Sequence, residues 1–445
     1  MKKICIKKVL ISVLVVVILS STITAFFVTG ENIDHQQPSV SDQDLSILLR
    51  KNQHAVLPTG LIDTFIEKIM ERNHISAVSA AIVHNDELLW THGYGLADRE
   101  RNKPAEPTTI YLVASISKTM TATALMQLYE QGLFDLDDDI NTYLNFSVRN
   151  PRFPDVPITF RMVLSHHSSI AVDPPTLFTR TFPGDLIIQG YPFPFFKELF
   201  TPEGIHYVPQ MWMENRPGEE MYYANLGFGL LGYLVERISG QSFENYCQEH
   251  IFHPLEMYNT SFFVNSLASA RLARPYEYYD NIYYPYIQYN MLDYPAGGLR
   301  TTVVDLSHFL IAQMQNGTYK DVQLLTPESI SIMHTVQYQN HTGYNFEYGL
   351  GFQIWETQTG RQIGHSGGLF GVATLMVYRE TDNTGLIMFL NKGINTLRDQ
   401  FAFATLEHLL FLKALQYGSL KGQPDTLTNL VKYNSLLTND FPNGR

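Results

Sequence analysis

What most constrains this chain is where its strand-like runs fall. Two of them, Ala77–His84 and Leu88–Gly95, lie near the front of the body and are joined by the turn residues Asn85 and Asp86. Three more, RQIGHS, VATLMVY and GLIMFLN, occupy 361–391 and are separated by Gly, Asp and Asn. Helical patterns fill the space between. Ser117–Gln131 carries Met120, Ala124, Leu125 and Leu128 at helical spacing and stops at Gly132, which predicts an amphipathic helix with a glycine cap. Residues 136–290 are richer in proline, loops and helical pieces, and 397–415 read as a final apolar helix. Strands at both ends with helices between predict an α+β fold whose sheet is assembled from the two ends of the chain.

Composition limits what such a fold can do. The chain has 445 residues, 45% of them apolar and 17% charged, enough for a large core. Net charge is −12, and four lysines (Lys2, Lys3, Lys7, Lys8) sit in an N-terminal stretch without an acid, so the body is more acidic still. An acidic body repels phosphate backbones, and no nucleic-acid partner is expected. The two cysteines, Cys5 and Cys247, leave the body one thiol, which excludes a disulfide scaffold and a multi-cysteine metal site. Val9 to Gly30 holds no charge. It reads either as an anchor over residues 9–29 or as a signal peptide cleaved after Ala25, and residues 1–30 are assigned to that role. Either way the basic flank places the body outside the cytoplasm. Residues 31–55 read as a polar tether, 56–418 as the folded domain with its insert at about 136–290, and 419–445 as a tail.

Three short motifs carry chemistry. Ser115 and Lys118 are three residues apart at a helix start, so the lysine ammonium can reach the serine hydroxyl. A serine hydroxyl is a weak nucleophile until a base takes its proton, and a helix N-terminus favours a developing oxyanion. Alone, the pair is equally an N-capping serine beside a solvated lysine. Tyr223-Ala224-Asn225 supplies a phenol as acid or base and an amide donor, although a single tyrosine is more often packing. Gly364-His365-Ser366-Gly367-Gly368 ends a strand-like run, where small residues let a substrate lie along the edge; the plainer reading is a glycine-rich turn.

In this order the three motifs resemble the serine β-lactamase and penicillin-binding superfamily, in its class C β-lactamase, D-alanyl-D-alanine carboxypeptidase and esterase branch. The flanking text agrees: GYGLADRE at 93–100, ITFRMVLSHHSS at 158–169, PGEEMYYANLGFGLLGYLVERISG at 217–240, PLEM at 254–257 and PAGGLRTTVVDL at 295–306. The resemblance covers about residues 60–415. It implies an antiparallel sheet built from both ends, flanked by helices, with a mostly helical inserted subdomain. It implies Ser115 as the acylated nucleophile, and Lys118 as its base or as the cation holding a deprotonated Tyr223. Tyr223 would pass the proton to the leaving group and then activate water, and Asn225 would bind the substrate amide. The main-chain N–H groups of Ser115 and Gly368 would form the oxyanion hole. His365, Ser366 and Gly367 would complete the substrate wall, with no metal and no cofactor. The substrate would be a small molecule or a peptide with an ester or amide bond. Two departures stand out. Where the family's best β-lactamases have K-T-G, this chain has His365-Ser366-Gly367, and a histidine offers a carboxylate only a weak charge. Where the family has H-T-S-G, this chain has His166-His167-Ser168-Ser169, a change expected to alter a turn.

Other readings have specific requirements. An α/β-hydrolase would use Ser366 with Asp382 and His408, and needs a helix directly after the serine. Gly227, Gly229 and Gly232 match a dinucleotide fingerprint but fall within a helical pattern. His166 and His167 with His84, His92 and His365 lack any metal-site spacing. A lapsed penicillin-fold binding or sensor module would be expected to lose one of Ser115, Lys118 and Tyr223. The tyrosines from Tyr276 to Tyr289 form either an apolar acyl pocket or, more simply, an aromatic hairpin covering the insert.

Overall fold

In a computed structural model of the chain, residues 59–171, 181–185, 192–338 and 344–419 are described. The leader, the tether and most of the tail lie outside them.

Helix α1 (Thr59–Arg72) leads into strands β1 (Ala77–His84), β2 (Glu87–Asp98) and β3 (Lys103–Pro104). Helix α2 (Ser117–Glu130) follows, then α3 (Asn225–Ser239) and α4 (Val303–Met314). The chain closes with β4 (Glu347–Tyr348), β5 (Gln353–Thr357), β6 (Gly360–Leu369), β7 (Val372–Arg379), β8 (Thr384–Leu390) and helix α5 (Leu397–Ser419). The eight strands form one sheet in the order β4-β5-β6-β7-β8-β1-β2-β3, antiparallel throughout. The two ends meet where β1 pairs with β8, from Val78 opposite Leu390 to His84 opposite Thr384.

The apolar runs explain why these strands sit centrally. β7 and β8 are buried along their whole length, and β1 at all but its last residue, as expected where both faces are covered. Alternation sends Gly385 of β8 towards α4, where a Cβ would lie 2.8 Å from Leu310. The opposite face receives α1 and α5. There Tyr94 Oη donates to Asp63 at 2.5 Å, and Lys413 of α5 lies over the Trp90 ring.

Two expectations need correction. Helix α2 is not amphipathic: it is buried nearly all round, threonines included. Their hydroxyls are satisfied internally, Thr119 on Ile116 O (2.8 Å), Thr123 on Thr119 O (2.8 Å) and Thr121 on Pro295 O (2.7 Å), so polar residues sit in a core helix at little cost. The aromatic hairpin exists, Tyr276–Tyr279 against Ile282–Pro285, but it does not cover the insert. Tyr278 stacks on His74 at the end of α1, Tyr283 lies under Arg99 of the β2–β3 turn, and Tyr276 N donates to Asn391 O after β8. The hairpin caps the rim of the main sheet.

Candidate active site

Ser115 stands in a single 3-10 turn, Ala114–Ile116, that runs into α2. Ala114 is buried with φ near +50°, a conformation that costs a non-glycine residue about 1 kcal/mol or more. Its surroundings hold it there. Val113 N donates to Leu299 O (2.9 Å), Thr374 Oγ1 of β7 donates to Val113 O (2.8 Å), and Ser117 Oγ donates to Ala114 O (2.6 Å).

Three residues on, Lys118 is fully buried. Its Nζ lies 3.0 Å from Ser115 Oγ, 2.7 Å from Asn225 Oδ1 and 2.8 Å from Ala296 O. Three acceptors match the three N–H bonds of an ammonium. Asn225 reaches it as the first residue of α3, and Ala296 through a loop that the α3 glycines admit. A Cβ at Gly232 would lie 2.3 Å from Pro295 Cγ, so only glycine lets residues 293–296 lie against the helix. This is what Gly229 and Gly232 do inside α3, in place of the dinucleotide reading, while a Cβ at Gly227 would meet Val163 Cγ1 at 3.1 Å.

Tyr223 precedes α3, and its ring centroid lies 4.9 Å from Lys118 Nζ. The ring packs against His166 (centroids 4.3 Å apart), Tyr348 (6.3 Å) and His365 (6.2 Å). His166 binds the same segment by main chain and side chain. Its Nδ1 accepts from Ala224 N (3.1 Å) and its carbonyl from Tyr222 N (2.8 Å). Burial, followed by the charge of Lys118, holds His166 well below its ordinary pKa, so the ring is neutral. Ser169 adopts φ near +61° where the resembling family has glycine, and is fixed by Asn150 Nδ2 (2.5 Å) and by its own bond to Asn215 O (2.9 Å).

The third motif lies on β6. A Cβ at Gly367 would sit 2.4 Å from Val113 O and 3.1 Å from Ser115 N, so glycine is required for the strand to press against the nucleophile. β5 pairs only with Gly360–Gly364, so among the described residues the edge from His365 to Leu369 has no strand partner on that side. Ser366 N points across that edge to Gln353 Oε1 (2.8 Å). By the two-residue period of a strand, Gly368 N–H points the same way, towards the edge beside Ser115.

His365 is fully buried. Burial, then the nearby Lys118 charge, pushes its pKa down to about 3. Its Nδ1 lies 2.6 Å from Ser366 O, and a carbonyl only accepts, so Nδ1 carries the proton. The neutral ring then accepts at Nε2 from Tyr348 Oη (2.7 Å). Both nitrogens are occupied within the protein. Ser366 lies mid-strand with its hydroxyl on Gln353 Oε1 (3.0 Å), and β7 follows it instead of a helix. Asp382 pairs with Arg379. The α/β-hydrolase triad is therefore overturned.

Sequence reasoning missed Tyr348, Gln353, Thr374 and Ala296, and gave His166 no part in holding the Tyr223 segment. Each meets the motifs from far along the chain, so no local spacing could have revealed it.

Comparison with known proteins decides the family. The Beta-lactamase family model matches residues 62–408. The chain belongs to that family. Among curated relatives, Protein flp of Staphylococcus aureus (strain MRSA252) is 26% identical over 352 residues, covering 78% of this chain but only 65% of the relative. Penicillin-binding protein 4* of Bacillus subtilis (strain 168) is 25% identical, covering 79% of this chain and 75% of that protein. Among solved structures, the octameric penicillin-binding protein homologue from Pyrococcus abyssi superposes with TM-score 0.62 at 25% identity, covering 79% of this chain and 78% of that one. D-amino acid amidase from Ochrobactrum anthropi SV3 shares the fold, with TM-score 0.64 at 20% identity over 82% of this chain and 100% of the other. This Beta-lactamase family member therefore has the α+β fold expected of its sequence.

Proposed function

We propose that this Beta-lactamase family member is a serine hydrolase that works through an acyl-enzyme on Ser115. The observation that carries the reading is Lys118 Nζ at 3.0 Å from Ser115 Oγ, beside the open edge of β6. Ser115 Oγ attacks the substrate carbonyl and its proton passes to the Lys118–Tyr223 pair. The main-chain N–H groups of Ser115 and Gly368 receive the oxyanion. The C–O or C–N bond then breaks and the leaving group departs with that proton. Water, deprotonated by the same pair, attacks the ester on Ser115, and the proton returns to Oγ as the acid leaves. Asn225, held by Lys118 at 2.7 Å, then meets a substrate amide.

His365 bears on the substrate class. It is neutral and both its nitrogens are engaged, so it offers a substrate carboxylate no cation. That favours an esterase or a D-amino-acid-type peptidase or amidase over an enzyme selecting penicillin by its carboxylate.

The test is intact mass spectrometry and turnover with p-nitrophenyl acetate and with benzylpenicillin, in wild type and Ser115→Ala. Ester turnover should fall at least about a thousandfold in the variant, which should keep its fold. A variant with wild-type turnover would overturn the mechanism. A lasting Ser115-dependent penicillin adduct would overturn the substrate assignment and leave the nucleophile standing.

A further inference from the structure

The side chains of β6 alternate, so His365, Gly367 and Leu369 share the face that Gly367 turns to Ser115. These three positions differ in kind. His365 is closed off by Tyr348, Gly367 is bare against the nucleophile, and Leu369, about 7 Å further along the strand, is apolar and half-buried. Leu369 does not stand alone. A Cβ on Gly297 would lie 3.7 Å from Leu369 Cδ1 and 3.1 Å from Met291 Sδ, so the two side chains converge over a glycine next to Ala296, the Lys118 acceptor. Past the strand end, Phe370 is 38% exposed. Its ring lies 6.0 Å from that of Tyr286 and 6.3 Å from that of Tyr289, and Tyr289 Oη donates to Phe370 O (2.7 Å). That bond fixes the β6–β7 turn. Leu369, Phe370 and Tyr286 are partly exposed and form one apolar wall, backed by the buried Met291 and Tyr289, that begins one residue beyond Gly368.

The direction of a bound substrate follows from the proton path. Tyr223, which delivers the proton to the leaving group, packs at the His365 end of the edge. The leaving group lies there, and the acyl group extends the other way, past Gly368 towards Leu369 and Phe370. We propose that this wall is the acyl subsite and selects substrates whose acyl group is a medium-length chain or an aromatic ring over acetyl-sized ones. The proposal rests on the hydrolase reading above and narrows its substrate class.

The test is a p-nitrophenyl ester series from acetate to octanoate, read as kcat/KM, on the full chain. Wild type should favour octanoate over acetate by about tenfold or more, since each methylene held in an apolar site adds a few-fold. That ratio should collapse towards one in Phe370→Ala and in Leu369→Ala, each checked for an unchanged melting profile. Tyr258→Ala, exposed and outside the wall, should keep the wild-type ratio. Ser115-dependent acetate turnover with a ratio near one, or a ratio that both wall variants leave intact, would overturn the subsite while the hydrolase reading stands. A second readout is independent of turnover. Octanamide but not acetamide should raise the melting temperature of Ser115→Ala, and Phe370→Ala on that background should abolish the rise. Equal shifts for the two amides, or none, would overturn the subsite even if every ester were refused.

Discussion

At position 365 the choice of residue sets the electrostatics of the site. A lysine there looks, in sequence, like the restoration of a missing cation. The setting of the side chain argues against it. The position is fully buried, within the field of Lys118, and the imidazole accepts the Tyr348 hydroxyl. His365→Lys would place a second ammonium beside Lys118 without water to screen it. We expect a lower Tm and no gain in penicillin acylation, read by thermal scans and by adduct formation over time. Faster acylation in that variant would mean that the position opens to substrate. Ser115, Lys118, Tyr223 and Asn225 were legible because each pair lies within a turn or so of chain, where spacing fixes who meets whom. The closure of His365 was not legible, because its partner Tyr348 arrives from a strand two away in the sheet.

Among the elements, the contact of α3 with the 293–296 loop sets the lysine geometry. The loop carries Ala296 O to Lys118 only because Gly229 and Gly232 leave the helix flank bare. Gly232→Ala would push Pro295 outward, since its ring cannot fold away from a Cβ at 2.3 Å. Overpacking of this kind costs about 1–3 kcal/mol. Moving one of the three Lys118 acceptors should also lower kcat by roughly tenfold to a hundredfold. Tm and kcat measured together check this; a lowered Tm with wild-type kcat would show that the loop does not position the lysine. The sequence placed these glycines in a helix correctly, but not their purpose, which exists only once the loop is packed on them. The turn at Ser169 teaches the same at smaller scale. There hydrogen bonds from Asn150 and to Asn215 hold serine in the left-handed conformation, and both partners lie far along the chain.

Over the whole molecule, buried titratable groups set how stability varies with pH. Burial pushes His365 and His334 down to about 3, His167 to about 4, and His166 in the same direction. Unfolded, they would protonate near 6.5. Below that pH the unfolded chain takes up protons that the folded chain refuses, so stability is lost as pH falls, by up to about 1.4 kcal/mol per unit for each histidine. Glu407 works oppositely. Burial raises it from 4.5 to about 8, so the unfolded chain releases its proton first and stability falls as pH rises between those values. Burial raises Glu236 and Glu244 as well, but several histidines outweigh these glutamates at acid pH, and Glu407 carries the loss up to about 8. Thermal scans should show Tm rising from pH 4.5 to about 6.5 and declining gently to 8. Glu407→Gln should lessen the decline; an undiminished decline would assign it elsewhere. The sequence by itself determined five of the eight strands of the main sheet, helices α2 and α5, the closing of the two ends into one sheet, and the Ser115–Lys118 and Tyr223–Asn225 pairs. These follow from periodicity and short spacing, which are properties of neighbouring residues. Tertiary structure alone decided which buried groups are charged, what occupies the two nitrogens of His365, and which apolar side chains gather beyond Gly368. Burial and long-range contact govern those, and both arise only when distant segments pack.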